Sequence, residues 1–471
     1  MGLSQKPILT FFFLFALFIM RGQDQLSLSS SEHMPFLSSE LNPALSADPK
    51  VFLSIRLGGA AAFAKNDLSY YKGDRFNLID LFKGRLGASD EDITYRSKMG
   101  SLSLRAEGPA VFISLGRSTV GLSTRIRSQL SAHDVAPELS RFIFNGFRFF
   151  PQYDKPYIAD GSSMSSLTWG ELELDFAHMI RVTGKDYLNV GIGLKRLYGL
   201  GHLGLDVENM DYLVTSQDIF INDFTGSYAI SDFGFRGGNG WGADLGIVYK
   251  RTIGGAQEYI PYSRKSSCIQ SRYRYMIGLA VNDIGAVNFK TNSFQTRTDQ
   301  AQVFWPDYID TELSSLGQLD SLLAIRVEHD QNVTSRKIAY KVKLPRSITL
   351  HGDYDLDKGF HISSVIIIPW AGRNEFDMRR LSSYSLTPRY VRTRFEIGIP
   401  FSLIDYDTFR MGLGLRFQYL YMGSDDLLRL FDGEDIYSAD LYLGIHIPIF
   451  YKKNCGKGKR RGKMIAPCWG Q

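Results

Sequence analysis

Cysteine is scarce in this sequence, with three in 471 residues, and disulfides cannot be the main support of an exported chain of that length. Long apolar runs are scarce too. Beyond Met20 no segment approaches the roughly 18 consecutive apolar residues of a membrane-spanning helix, and the mean hydropathy is −0.13. Charge is balanced: the formal net charge of +5 falls to +3 once Lys6 and Arg21 are discounted with an N-terminal leader, which excludes a nucleic-acid partner. Catalytic signatures are missing. There is no His-Glu-x-x-His, Gly-x-Ser-x-Gly or Cys-x-x-Cys, and the eight His are scattered. His178 and His446 fall in alternating segments and read as lumen or girdle residues. Ser89-Asp90-Glu91-Asp92 gathers hard oxygen ligands, although a charge run of this kind is ordinarily an exposed loop. No catalytic residue, metal or cofactor is expected. A hydrolase assembled from distant strands is the remaining enzymatic alternative.

The N-terminus is what the rest is not. Lys6 precedes an apolar run from Pro7 to Met20 and then Arg21-Gly22-Gln23-Asp24-Gln25. That run has the length of a signal-peptide core and is too short to span a bilayer as a helix. Residues 1–22 are expected to be a signal peptide, with Gly22 before the cleavage point. No Cys follows, so a lipoprotein is not expected.

Aromatic and glycine content is high, with 25 Tyr, 32 Phe and 45 Gly, as suits a membrane barrel with aromatic girdles. The period of the apolar pattern is 2. Thr393, Phe395, Ile397, Ile399 and Phe401 alternate with Arg392, Arg394, Glu396, Gly398 and Pro400, and Phe409, Met411, Leu413, Leu415, Phe417 and Tyr419 alternate with Arg410, Gly412, Gly414, Arg416 and Gln418. Similar alternation recurs at Leu102–Ala106, Val120–Ile126, Leu172–Phe176, Leu188–Leu194, Trp241–Tyr249, Tyr273–Val281, Ile348–Leu350 and Leu441–Ile449. Several of these runs reach ten residues or so, as strands tilted across a bilayer must. Soluble sandwich strands average about five or six. The second faces mix Gly with Arg, Glu and Asp, which fits a crowded polar lumen.

The expected fold is therefore all-β: a closed antiparallel transmembrane barrel over residues 50–450, in an outer membrane, with its surface against lipid. Connection lengths alternate as in such barrels. Short turns at Gly116–Thr119, Thr183–Asp186, Leu356–Gly359 and Ser402–Asp407 are set against long loops near Tyr198–Gly238, Thr291–Leu344, Ala371–Pro388 and Met422–Ser438. This reading counts twelve strands, with Asn282–Asn292 able to hide a further pair. Thr252–Gln270 breaks the pattern, being long where a short turn is expected.

Leu41-Asn42-Pro43-Ala44-Leu45, Trp241–Lys250, Ile277–Gly285, Lys343-Leu344-Pro345-Arg346-Ser347 and Pro388-Arg389-Tyr390 together resemble the FadL/PorV-like outer-membrane superfamily, and within it an uncharacterised branch common in Bacteroidota. The resemblance implies 14 strands and a short hatch in the lumen, here residues 23–49 with Asn42, Pro43 and Ala44 at its centre. FadL-type relatives carry hydrophobic small molecules, and PorV-type relatives dock secreted proteins in type IX secretion. The first role is expected here and the second is the alternative. Neither is enzymatic. Pro43 pushes Asn42 out of helical geometry, and an Asn side chain can hold a turn against backbone groups. The alternative for this segment is a periplasmic leader.

Leu313, Leu316, Leu319 and Leu322 have helical spacing and form a candidate loop helix for a ligand or partner, or one packed on its own barrel. Asp320-Ser321-Leu322 resembles a bacterial O-glycosylation acceptor. Residues 451–471 form a basic tail on the periplasmic side, where Cys455 and Cys468 are expected to pair, with Cys268 as the competitor. A monomer is expected.

Overall fold

The computed structural model describes residues 25–72, 89–146, 149–183, 185–234, 237–253, 272–308, 333–370, 376–428 and 435–450. Its strands are β1 (Leu53–Asn66), β2 (Ser69–Tyr70), β3 (Asp90–Glu91), β4 (Lys98–Leu115), β5 (Ser118–Val135), β6 (Pro156–Ile158), β7 (Ser163–Thr183), β8 (Asp186–Val214), β9 (Ile219–Ser231), β10 (Gly238–Thr252), β11 (Tyr273–Phe289) and β12 (Ser293–Trp305). They continue as β13 (Val333–Lys337), β14 (Tyr340–Lys343), β15 (Ser347–Asp355), β16 (Phe360–Pro369), β17 (Ser383–Val391), β18 (Phe395–Gly398), β19 (Phe401–Ile404), β20 (Thr408–Met411), β21 (Leu413–Phe417), β22 (Leu420–Ser424) and β23 (Ser438–Ile449).

Fourteen antiparallel staves close the barrel. They are β1, β4, β5, β7, β8, β10, β11, β14 running into β15, β16, β17, β18 into β19, β20 into β21, β22 and β23, and β23 pairs back onto β1 from Leu53↔Ile449 to Lys65↔Ser438. Closure leaves the wall without a free edge, as a sheet in lipid requires. β8 is 29 residues long: its first part pairs with β10, and its second rises beyond the wall to pair with β9. β12 and β13 extend the same projection on the side of the long connections.

The alternation explains which residues face out. Leu172, Leu174, Phe176, Leu245, Ile247, Ile277 and Leu279 are each 40% or more exposed, whereas Glu171, Glu173, Asp175, Asp244 and Asn282 at the intervening inward positions are buried. Two aromatic rings bound the apolar band. Near the long connections, Arg196 lies 5.0 Å from Trp241 and Arg346 lies 5.4 Å from Trp370. Near the tight turns, Tyr249 stands 6.2 Å from Tyr275, Phe360 stands 4.8 Å from Tyr390, and Phe395 stands 5.1 Å from Phe417. From Trp241 to Tyr249 the chain rises about 26 Å at a strand's ~3.3 Å per residue. At the usual strand tilt of about 40° this spans roughly 20 Å of an apolar band of about 25 Å.

Two strands beyond the twelve read from the sequence are β17 and β22. Segment 371–388 is not all loop, since β17 begins at Ser383 and ends before a turn at Arg392–Arg394, and the alternating run 409–421 is a hairpin, β21 and β22, turning at Gln418–Tyr419. The added strand β17 also moves the turn at Asp405–Asp407 to the side of the long connections, where Asp407 meets Lys65 at 2.8 Å. Ser402, expected in that turn, lies in β19. Asn282–Asn292 hides no pair: β11 runs through it to Phe289.

Residues 25–50 lie inside the barrel. A helix at Pro35–Leu41 and a 3-10 helix at Pro43–Ala47 are buried almost throughout. Leu28, Met34, Phe36 and Leu37 pack against Ala61, Ala110, Phe112, Tyr421 and Tyr442 of the wall. Higher in the lumen, Phe376 and Met378 pack with Trp169, Leu197, Val287, Phe289 and Tyr340.

Candidate functional site in the lumen and wall

Asn42 occupies the junction of the two internal helices. Its extended backbone (φ −157°, ψ 114°) lets the side chain cap the 3-10 helix, with Oδ1 accepting from Ala44 N–H at 2.9 Å. Nδ2 donates to the carbonyl oxygens of Ile247 and Leu279, both at 3.2 Å, and lies 3.1 Å from His351 Nε2. The Asn282 amide donates to Leu41 O at 3.0 Å. Pro43 and Ala44 sit against Gly191, and Asn42 against Gly246; a Cβ at either glycine would overlap them. The wall is thus hollowed at two strands to seat this turn.

Two residues earlier, Glu40 gathers arginines from three neighbouring staves: Arg56 of β1 at 3.5 Å, Arg105 of β4 at 2.5 Å and Arg125 of β5 at 3.3 Å. Burial pushes the Glu40 carboxyl up, but Arg125, Arg105 and Arg56 together hold it down at about 2. The network continues along the wall. Arg125 pairs with Glu171 and Glu173, Arg127 reaches Asp283 at 2.9 Å, and Lys195 bridges Asp244 at 2.8 Å and Asp283 at 2.7 Å. Buried charges of this kind persist because each finds an opposite charge and hydrogen bonds. A second group joins Arg389 and Arg416 through Glu396 at 3.0 and 3.1 Å, and Ser31 of the internal segment donates to the same carboxylate at 2.6 Å.

The wall is irregular where this network is densest. In β4 the ladder to β5 shifts between Glu107 and Ala110. The bulge holds Gly108 and Pro109, and a proline has no N–H to give to the ladder. Arg56, wholly buried, repairs the gap: Nε donates to Gly108 O at 3.1 Å, Nη2 to Thr124 O at 3.3 Å, and Nη1 to Glu107 Oε2 at 3.2 Å. Thr124 Oγ1 donates to Pro109 O at 3.0 Å. Glu107 is also held by Tyr421 OH at 2.7 Å and Gln25 Nε2 at 2.9 Å.

Beside the bulge a groove of about 450 Å³ opens in the wall. Its sides are the outward residues Ala106, Ile126, Leu172 and Tyr198, together with the buried Leu200, and its floor reaches the inward residues Glu107, Arg125 and Glu171. A cavity inside the lumen, between Glu40, Arg105, Arg125, Lys195 and Asn282, is only about 50 Å³.

The sequence picked out Asn42, Pro43 and Ala44, and these lie together on the glycine seat. It did not pick out Glu40, Arg56 or the bulge, although a signal was present: the apolar residues Leu102 and Leu104 occupy even positions, whereas Val111, Ile113 and Leu115 occupy odd ones. Such a change of phase requires an inserted residue. Each acid of Ser89–Asp92 faces its own cation, with Asp90 3.2 Å from Lys72, Glu91 2.8 Å from Arg141 and Asp92 3.1 Å from Lys98. His178 Nδ1 lies 2.8 Å from Ser118 Oγ, and His446 is buried beside Phe36 and Tyr421. Leu313, Leu316, Leu319, Leu322, Asp320, Ser321, Cys268, Cys455, Cys468, the basic tail and residues 1–22 lie outside the described residues.

The profile of a family described as "Family of unknown function (DUF5723)" matches residues 43–425. No curated protein matches the sequence. Among solved structures, the toluene transporter TbuX of Ralstonia pickettii aligns with a TM-score of 0.40 at 8% identity, over 88% of this chain and 93% of that one. The toluene transporter TodX of P. putida aligns with a TM-score of 0.40 at 10% identity, over 88% and 94%. A FadL homologue of Pseudomonas aeruginosa aligns with a TM-score of 0.21 at 10% identity, over 88% and 94%.

Proposed function

The chain belongs to that family of unknown function, DUF5723, and we propose that it is an outer-membrane barrel that binds hydrophobic small molecules and passes them through its wall beside the β4 bulge. The observation that carries this reading is the groove at Ala106, Ile126, Leu172, Tyr198 and Leu200. It is apolar on the membrane side, adjoins the interruption of the β4–β5 ladder and is lined at its floor by Glu107, Arg125 and Glu171. The axial route is filled by residues 25–50 and by Phe376 and Met378. An apolar solute entering at the bulge crosses only one layer of sheet, at a point that Arg56, Glu107 and Arg125 now hold from inside. Pockets that take small apolar ligands are commonly of this size and lining.

The test is binding and flux of a neutral hydrophobic fluorophore with protein reconstituted in vesicles. Ile126→Trp with Leu172→Trp should fill the groove and lower both by about tenfold while the barrel assembles normally, an effect the size of losing one well-buried apolar contact. Unchanged flux in that variant would reject the wall route. Capture of a stoichiometric secreted protein from the native membrane, with no hydrophobic ligand, would instead favour the docking role.

A further inference from the structure

We infer that Glu40 is the latch of the β4–β5 seam: a carboxylate on the internal segment that holds the interrupted part of the wall closed from inside. This rests on the reading that the bulge is the route through the wall. The seam has lost regular ladder bonds between Glu107↔Arg125 and Ala110↔Ser123, and side chains bridge what the backbone does not. Arg56 ties the two strands through Gly108 O and Thr124 O. Glu40 ties them through Arg105 on β4 and Arg125 on β5, and it also lies 3.5 Å from Arg56.

Both bridges therefore converge on one carboxylate that belongs to neither strand. Glu40 ends the helix Pro35–Leu41 at its penultimate residue and is followed at once by the seated turn Asn42–Ala44. Any displacement of that turn from Gly191 and Gly246 moves Glu40 as well. Arg105 is then left with Glu107 of its own strand and Arg125 with Glu171 and Glu173 of β7, so the ion-pair tie across the seam is lost while each charge keeps a partner on its own side. Because charge-assisted hydrogen bonds are short and directional, the contact is lost within a small movement. The seam is held shut while the internal segment is seated and is released when it is not.

Amide hydrogen exchange of the full chain in detergent or nanodiscs tests this. Glu40→Gln should speed exchange of the β4 amides flanking the bulge, from Leu104 to Phe112, by about tenfold or more, as expected for loss of one charge-assisted bridge. Glu40→Asp should restore part of the protection. Ser31→Ala, which removes one hydrogen bond to Glu396 and leaves the turn at Asn42–Ala44 seated on Gly191 and Gly246, should leave those amides unchanged. Wild-type exchange at Leu104–Phe112 in Glu40→Gln, or an equal change in Ser31→Ala, overturns the latch. If Glu40→Gln does not assemble, Arg105→Gln removes one arm and should give a smaller acceleration confined to the same peptide; acceleration spread evenly over β10 and β11 overturns it too. Faster exchange at the seam without flux of the fluorophore would leave the latch standing and reject the transport reading.

Discussion

The guanidinium of Arg56 donates through Nε to the carbonyl oxygen of Gly108 at 3.1 Å, so a side chain of β1 completes hydrogen bonding that the sheet itself leaves open in β4. In a membrane this is a necessity, because an unmet carbonyl there cannot turn to water. Arg56→Met is expected to weaken the folded barrel by about 3–5 kcal/mol, since Glu107 and Glu40 lose a buried partner together. Arg56→Lys keeps the charge but cannot serve two carbonyls and a carboxylate with one planar fork, and should fall between. The temperature at which the compact, unheated band in a detergent gel converts to the slower unfolded one reads the difference. Equal conversion temperatures for all three would deny Arg56 this role.

Leu245 is outward, 46% exposed, and lies midway between the rings at Trp241 and Tyr249. Leu245→Arg should oppose insertion by about 2–4 kcal/mol if the position is near the bilayer midplane. Leu245→Met should be close to neutral. Refolding into vesicles of defined lipid measures both. An arginine tolerated as well as methionine would place this face away from lipid.

The Glu40 carboxyl, held down at about 2 in the folded chain by Arg125, Arg105 and Arg56 against its burial, sets the pH response of the internal segment. A carboxyl with a lowered folded pKa contributes stability that is fully present above the unfolded value and is lost as pH falls through the folded one. Seating should therefore hold at neutral pH, weaken below about 4.3 and lose the Glu40 contribution as pH approaches about 2. Thiol labelling of Ala44→Cys, a buried position in the seated segment, follows this with a reagent that reacts in acid. Glu40→Gln should remove that part of the acid response, and an identical pH profile in both backgrounds would contradict it.

Much of the barrel was legible because lipid outside and charge inside impose a period of 2 that no other environment explains as well. The strand count fell short for a local reason. Arg392-Thr393-Arg394 and Gln418-Tyr419 turn without the Gly, Asn or Asp that tight hairpins usually show; the alternating run of Thr393–Phe401 starts inside the first, and that of Phe409–Tyr419 runs into the second. β17 was hidden by its composition: Ser383, Ser385 and Thr387 inward and Pro388 outward look like a loop when the partner strands are not in view. The 14 strands implied by family resemblance are those observed. Asn42 was legible through Pro43, whose effect on the preceding backbone is local. Glu40 was not. Its meaning depends on Arg56, Arg105 and Arg125, which only barrel closure brings to one point.

The proposal that hydrophobic molecules pass through the wall at the bulge is tested most directly by locking the seam. A Cβ placed on Gly108 would stand 3.4 Å from Thr124 Cβ, close to the separation of roughly 3.5–4.5 Å that a disulfide spans. Gly108→Cys with Thr124→Cys, in a chain whose three native cysteines are replaced by serine, should close the seam on oxidation and release it on reduction. Flux of the neutral hydrophobic fluorophore into vesicles should be lost in the oxidised protein and return in the same sample on reduction. Equal flux in the oxidised and reduced protein, with the disulfide confirmed by peptide mapping, would contradict passage through the wall.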